Sequence, residues 1–190
     1  MRVKDDIKQK ALFTATVKLV NETGFASSSV AKIAREAGIS PATVYIYYKN
    51  KEDLLVSTFI DIKKDLIKAL LVDFDDSLPI RDIIKEIWFK MFEYTHQNRA
   101  NFQFTEQFSN SPYASLVDQR ELDEMFMPVV QVVQRGIEQK IIKNVDFYIL
   151  SAFIYYPIYT LANSRLPHNY QMSAENIDVA FTLAWDAIKL

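Results

Sequence analysis

Two short helical patterns separated by a glycine constrain the fold of this chain more than any other feature. In the first, residues 30–37, apolar side chains recur at the i, i+3, i+4, i+7 spacing of an amphipathic helix. Gly38 can adopt the positive φ of a tight turn, and Ser40 with Pro41 is a typical start for a second helix. With small Ala34 where the helices would cross, these are the marks of a helix-turn-helix, although an ordinary αα-corner has the same spacing.

The run VYIYY, residues 44–48, forms most of the second helix, so its residue types determine which side of that helix is buried and which is exposed. Its β-branched and aromatic residues are typical of a strand, but the capping signals before it favour a helix. At about 100° per residue, Val44 and Tyr48 fall together and form the inward side. The opposite side is small, apolar or hydroxyl-bearing with a basic end: Ala42, Thr43, Ile46 and Lys49, with Tyr45 and Tyr47 at its edges.

This outward side suits a DNA groove better than it suits water. Exposed Ala42 and Ile46 match thymine methyl groups, hydroxyls match phosphate oxygens, and Lys49 contributes charge. Residues 1–53 carry nine basic and six acidic side chains, a net of +3, while residues 54–190 carry thirteen and eighteen, a net of −5. The alternative is that Ile46 and Tyr47 pack on the rest of the protein.

The rest of the chain favours an all-α fold, because only three glycines and six prolines are available for turns in 190 residues. We predict about nine helices and no strand, with an N-terminal domain over 1–53 and a C-terminal domain over 54–190. Beyond the helix-turn-helix, the predicted helices span 5–22, 51–72, 80–97, 100–108, 116–140, 145–164 and 173–189, with loops at 73–79, 109–113 and 165–172.

Residues 12–55 resemble the DNA-binding domain of TetR-family transcriptional regulators. The segments IAREAGIS (33–40) and ATVYIYYKNKEDLL (42–55) carry the resemblance. Two departures stand out, Ala42 where the family usually has glycine and Ile46 where histidine is frequent. The resemblance implies a three-helix DNA-binding domain followed by a helical ligand-binding and dimerisation domain, and hence a ligand-responsive regulator, most simply a repressor, that binds a palindromic operator as a dimer.

The resemblance also implies roles for individual residues. Lys51 opens the helix that joins the two domains, and the basic arm 2–10 either contacts DNA or stays solvated. We expect base contacts from Pro41, Ala42, Tyr45 and Ile46, and phosphate contacts from Ser29, Thr43, Tyr47, Lys49 and Lys51.

Residues 147–162 form a segment of sixteen residues without a charge. It is shorter than the roughly 20 apolar residues of a membrane span, and a helix that is apolar almost all round is normally buried. We expect it to be kinked by Pro157 and to pair with the last helix in a four-helix homodimer interface. The interface residues that we expect are Phe153, Tyr159, Leu183 and Ala187.

Aromatic residues are concentrated between Trp88 and Phe126. Core packing explains most of them, but they can also wall a pocket for an unidentified apolar or aromatic effector. An inward-facing Glu93 or Glu106 would favour a cationic lipophile instead. The pocket that we expect is lined by Trp88, Phe89, Phe92, Phe104, Phe108, Phe126 and Tyr156.

Enzymatic classes find little support in the sequence. His96 and His168 lack partners at metal-binding spacing, and no phosphate-binding glycine loop or nucleophile elbow occurs. The absence of cysteine and of an apolar leader fits a cytoplasmic protein without disulfides. We therefore expect no catalysis, no cofactor, no metal and no membrane contact. The alternative function is a helical small-molecule-binding module that does not act on DNA.

Overall fold

The computed structural model describes residues 2–162 and 172–190, with side chains from residue 5 onward. In these residues it contains ten α-helices, one 3-10 helix and no β-strand, which confirms the predicted all-α class. The helices are α1 (Arg2–Ser27), α2 (Val30–Glu36), α3 (Pro41–Tyr47), α4 (Lys51–Leu70), α5 (Ile80–Gln97), α6 (Arg99–Ser109), the 3-10 helix (Pro112–Leu116), α7 (Gln119–Glu138), α8 (Phe147–Ile154), α9 (Tyr156–Leu161) and α10 (Ala174–Ile188).

Local signals placed several helix ends well. Helix α5 has the predicted limits, and α10 begins after Ser173, whose side chain accepts a hydrogen bond from the Asn176 N–H. In α1 the predicted stop coincides with Gly24, which has φ 75° and interrupts the helix although three residues continue beyond it. The loop predicted at 165–172 lies, apart from Met172, outside the described residues.

The helix predicted over 145–164 is instead two helices, α8 and α9, with the break at Tyr155. Pro157 lies two residues after the break and has no N–H with which to continue the hydrogen-bond ladder. The Ile158 N–H bonds to the Tyr155 carbonyl, three residues back rather than four. The effect of Pro157 is therefore a break and not only the predicted kink.

The helix predicted over 116–140 begins later than expected, at Gln119. Part of the predicted loop before it forms the 3-10 helix, capped by the Ser111 side chain, and extended Val117 then separates it from α7. Pro128 lies inside α7 without ending it.

The chain divides into two compact units. Unit 1 comprises the chain up to Lys64 together with Ala100–Gln119, and unit 2 comprises Asp65–Arg99 and Arg120–Leu190. The functional division predicted after residue 53 stays a prediction, because spatial grouping does not report which residues bind DNA or ligand.

Unit 1 contains the helix-turn-helix and its core. Helix α1 contacts α2, and α2 contacts α3. An ion pair of 2.5 Å between Lys18 and Glu36 joins α1 to the end of α2 at the surface. The core beneath is formed by buried apolar side chains from four helices: Leu12, Ala15, Val30, Ile33, Ala34, Val44 and Leu54.

Unit 2 is built around α5, whose buried face points into one large apolar core. Trp88 at its centre is fully buried, and its indole Nε1 donates a 2.8 Å hydrogen bond to the Ile154 carbonyl at the end of α8. Helix α10 contacts both α5 and α8. Gly136 in α7 leaves room for Ile142, since a Cβ built at Gly136 lies 2.6 Å from the Ile142 side chain.

Candidate functional site

The turn between α2 and α3 fixes how α3 is presented. Gly38 has φ 69°, the positive value expected for this turn. The Ile39 N–H bonds to the Ala34 carbonyl at 2.9 Å, and the Ser40 side chain accepts from the Thr43 N–H at 3.2 Å. Both ends of the connection are thus satisfied within a few residues, so α3 has a defined direction.

The inward side of α3 is anchored in the core of unit 1. Val44 is only 1% exposed and packs in the same cluster as Leu12, Ile33 and Leu54. Tyr48 is half-buried against this cluster, as expected, but it is the C-cap, with extended backbone (φ −132°, ψ 134°), and not part of the helix. Burial, with the charges of two nearby aspartates, raises the pKa of Tyr48.

The outward side of α3 is exposed at the four positions expected to contact bases. Ile46 is 76% exposed and Tyr45 is 57% exposed, and Pro41 and Ala42 lie on the surface as well. Within the described residues, the alternative that Ile46 and Tyr47 pack on the rest of the chain is therefore wrong for Ile46 and right for Tyr47, which is half-buried against the core of unit 1. Helix α3 thus presents an isoleucine and a tyrosine to solvent.

The polar residues expected to contact phosphates differ in their exposure and in their hydrogen bonds. Ser29 is exposed and caps α2, and Lys49 is exposed while its backbone N–H donates to Asp53 at 2.8 Å. Thr43 is half-buried, and its hydroxyl lies 2.9 Å from that of Ser40. Ser29, Thr43 and Lys49 therefore have side-chain atoms at the surface beside α3.

Tyr47 and Lys51 have partners inside unit 1. The Tyr47 hydroxyl donates to Asp5 of α1 at 2.9 Å, and this bond is the main cause that raises the pKa of Tyr47. The Lys51 ammonium donates to the Phe25 carbonyl at 2.5 Å. Because the Tyr47 hydroxyl already donates its proton to Asp5, Tyr47 can donate to a phosphate only after this hydrogen bond breaks. The Lys51 ammonium, in contrast, retains two further N–H groups.

A second exposed apolar surface lies in unit 2, and we call it the α8–α10 face. Of the residues expected at a dimer interface, Phe153 is 58% exposed, Leu183 is 67% exposed, Ala187 is exposed and Tyr159 is half-buried against the core. Four further large side chains of α8, α9 and α10 are exposed as well, and we count them with this face: Tyr148, Ile149, Tyr156 and Val179.

The aromatic residues expected to line one pocket belong to different places. Trp88, Phe89, Phe92 and Phe126 pack in or against the core of unit 2, where Trp88 and Phe92 stack at 5.8 Å. Phe104 and Phe108 are fully buried in unit 1, 6.0 Å apart. Tyr156 is exposed on the α8–α10 face. Core packing accounts for Trp88 and Phe92, while the assignment of a pocket to this set stays a prediction.

Sequence reasoning missed Lys63 in α4. Its ammonium lies 5.3 Å from the centroid of the Phe59 ring, and burial lowers the pKa of Lys63 to about 8. The pattern Phe-x-x-x-Lys on a helix was the available signal, since residues four apart are neighbours on a helix surface.

In the part of the chain that the structure describes, no group of three or more histidine or acidic side chains is placed to hold a metal ion. None of the helices among residues 2–162 and 172–190 combines the length and the apolar character that crossing a membrane requires.

Two family descriptions match the chain, and together they cover both parts of it. Residues 12–58 match the bacterial regulatory proteins of the tetR family, and residues 79–189 match the tetracyclin repressor-like C-terminal domain. A TetR-family transcription regulator from Marinobacter aquaeolei VT8 has a solved structure with a TM-score of 0.89. It is 34% identical over 100% of this chain and 99% of that chain. The chain belongs to the TetR family of transcriptional regulators.

Curated relatives match over shorter stretches. An HTH-type transcriptional regulator of Haemophilus influenzae is 26% identical over 111 residues, which are 58% of this chain and 59% of the relative. The fatty acid metabolism regulator protein of Bacillus subtilis is 32% identical over 85 residues, 45% of this chain and 44% of the relative. The chain thus spans between two-fifths and three-fifths of the length of these two relatives.

Proposed function

We propose that this protein is a ligand-responsive, DNA-binding transcriptional repressor that acts as a homodimer on a palindromic operator. The observation that carries the proposal is the outward side of α3. Tyr45 and Ile46 are exposed to solvent on one side of the helix, while Val44 on the opposite side is buried in the core of unit 1. An exposed apolar and hydroxyl surface on a capped helix of this size suits insertion into a major groove.

The proposed base contacts come from exposed residues of α3, and the proposed phosphate contacts come from polar residues on or beside it. Pro41, Ala42, Tyr45 and Ile46 are proposed to face base edges, with Ile46 against a thymine methyl group. Ser29, Thr43 and Lys49 are proposed to contact phosphates, and Lys51 joins them through its remaining N–H groups. Tyr47 is the weakest of the proposed phosphate contacts, because its hydroxyl already donates to Asp5.

Dimerisation is proposed to use the α8–α10 face. Its exposed side chains are large and apolar, and a two-fold axis through such a surface lets each copy cover the same residues of the other. A dimer then presents two α3 helices to two half-sites of one operator.

The effector is proposed to act through α4. This helix begins four residues after α3 ends, Asp53 near its start accepts from the Lys49 N–H, and Leu54 packs in the same core as Val44. A ligand that binds one position of α4 better than another changes which distance between the two α3 helices of the dimer is most populated. The protein leaves the operator when this distance no longer fits the two half-sites.

A salt-dependent mobility shift tests the proposal. Purified protein is titrated onto the promoter region beside its own gene and onto a scrambled fragment of equal length, at several salt concentrations. We expect a retarded complex with the promoter fragment that weakens as salt rises, because phosphate contacts release counterions. Equal retardation of both fragments contradicts specific recognition. The absence of any shift, together with thermal stabilisation by a small apolar ligand, favours a helical ligand-binding module that does not act on DNA.

A further inference from the structure

Asp5, near the start of α1, is hydrogen-bonded to the last residue of α3. Its carboxylate accepts a 2.9 Å hydrogen bond from the Tyr47 hydroxyl. Both side chains are half-buried, and the Tyr47 ring packs against the core that contains Val44. The Tyr47 side chain is therefore held at both ends, at its ring by apolar packing and at its hydroxyl by a carboxylate.

The Tyr47 hydroxyl has a single proton to donate. A phenol carries one O–H donor, whereas a carboxylate and an ionised phosphate only accept hydrogen bonds. The bond to Asp5 has a charged acceptor, which makes it stronger than a bond between neutral groups. It is also the main cause that raises the pKa of Tyr47, so the phenol stays protonated at neutral pH. While this bond lasts, a DNA phosphate beside Tyr47 meets no donor there.

Asp5 is also an acid in a segment that is otherwise basic. Residues 2–10 carry four basic side chains and two acids, Asp5 and Asp6. Lys49 follows Tyr47 by two residues and is exposed. A phosphate that approaches the end of α3 is attracted by Lys49 and repelled by the carboxylate bonded to Tyr47. The hydrogen bond and the charge of Asp5 thus both weaken a phosphate contact at Tyr47.

Lys51 shows what is particular to the contact between Asp5 and Tyr47. Its ammonium also donates inside unit 1, to the Phe25 carbonyl, but two further N–H groups remain for a phosphate. The acceptor in that bond is a neutral carbonyl, which does not repel a phosphate as a carboxylate does. Engagement inside the protein therefore costs Tyr47 its phosphate contact and does not cost Lys51 its own.

We propose that Asp5 limits the affinity of this protein for DNA by competing with a phosphate for the proton of the Tyr47 hydroxyl. This inference rests on the proposed function, because it concerns how tightly the proposed recognition helix holds the DNA backbone. Without a carboxylate at position 5, the same hydroxyl can donate to a phosphate oxygen. Because phosphates carry no sequence information, Asp5 sets the affinity for every DNA and leaves the choice of sequence to Tyr45 and Ile46.

Removing the carboxylate should make the protein bind DNA more tightly. We expect Asp5→Ala to raise the affinity for the promoter fragment and for the scrambled fragment about tenfold each, because a donor is released and a repelling charge is lost. Mobility shifts at one fixed salt concentration measure both affinities. Unchanged or weaker binding by Asp5→Ala overturns the proposal, and so does a gain confined to the promoter fragment, which would make Tyr47 a base contact.

Asp6→Ala is the matched control, because it removes the same charge from the adjacent residue, which is exposed. We expect it to raise the affinity for both fragments only about twofold, since water and salt screen an exposed charge. Equal gains in Asp5→Ala and Asp6→Ala would reduce the effect to net charge and overturn the competition for the proton.

The dependence on Tyr47 assigns the effect to its hydroxyl. We expect Tyr47→Phe to lower DNA affinity about fivefold more in the Asp5→Ala protein than in the wild type, because only without Asp5 does the hydroxyl reach a phosphate. The four proteins are compared by mobility shift on one fragment at one salt concentration. An equal effect of Tyr47→Phe in both proteins contradicts the proposal.

Urea unfolding without DNA separates this inference from the proposed function. Asp5→Ala and Tyr47→Phe should lower the free energy of unfolding non-additively, because each removes the same hydrogen bond, and the curves also show that each variant is folded. If the wild type binds the promoter fragment and Asp5→Ala gains nothing, the inference about Asp5 fails and the regulator stands. If neither protein binds DNA although unfolding shows the bond, the proposed function fails, and the role of Asp5 fails with it.

Discussion

The protein exposes apolar side chains on two surfaces, the outward side of α3 and the α8–α10 face, and their surroundings differ. On α3, Tyr45 and Ile46 are flanked by hydroxyls and by the basic Lys49. On the α8–α10 face the exposed residues are larger and more numerous, and α8 carries no charge. A narrow apolar strip between polar donors suits a groove lined with phosphates, whereas a broad apolar surface suits another protein.

The largest expected effect comes from placing a charge on the broad surface. Leu183→Glu should weaken dimerisation by about 100-fold or more, because burying an unpaired carboxylate in an apolar interface is costly. Analytical ultracentrifugation measures the dimer dissociation constant. Val72→Glu is the control, since Val72 is exposed in unit 2 outside this face. A Leu183→Glu protein that stays dimeric would show that this face is not the interface.

Removing an aromatic side chain from the narrow strip should affect DNA and not dimerisation. Tyr45→Ala is expected to lower operator affinity by about 30-fold, since a good base contact contributes about 1–3 kcal/mol. The measurement is a mobility shift at fixed salt, paired with ultracentrifugation of the same sample. Unchanged operator affinity would refute the assignment of α3 as the recognition helix.

The two sides of α3 can be compared within one helix. Val44→Ala removes buried carbon and should lower the free energy of unfolding by about 2 kcal/mol, while Ile46→Ala, on the exposed side, should change it by no more than about 0.5 kcal/mol. Urea unfolding followed by circular dichroism measures both. Equal losses would mean that Ile46 is covered in the native protein.

The smallest effect should appear in sequence discrimination. Ile46→Ala is expected to reduce the preference for thymine at one operator position by about fivefold, because contact with the thymine methyl group is lost. Mobility shifts on operators with each base at that position give the ratio. A uniform loss of affinity at every variant operator would instead make Ile46 a general contact.

Local signals predicted the helix-turn-helix in detail. Ser40, Pro41 and Gly38 fixed the start of α3 and the turn before it, because caps and positive-φ turns depend on residues within one turn of each other. The strand-like composition of residues 44–48 had little weight against them, although it describes Tyr48, which is extended. The all-α class followed from periodicity and from the shortage of turn residues.

Long-range partners could not be predicted in the same way. Periodicity identifies the apolar side of a helix but not the side chain that covers it, so the aromatic residues from Trp88 to Phe126 looked like one set. The structure assigns Phe104 and Phe108 to unit 1 and Trp88 and Phe92 to unit 2. The interruption at Tyr155 depends in the same way on context, since some prolines, such as Pro128, stay inside a helix.

The sequence by itself determined most of the helices, the capped turn and the outward side of α3, because these follow from contacts between residues a few positions apart. Only the tertiary structure decided which polar groups are engaged and which are left without a partner. The Tyr47 hydroxyl is held by Asp5, forty-two positions away, and Lys51 is held by the carbonyl of Phe25. Lys63, similar in sequence to any helical lysine, has its ammonium over the ring of Phe59. The burial that lowers the pKa of Lys63 depends on everything packed around the side chain, so it follows only from the folded structure.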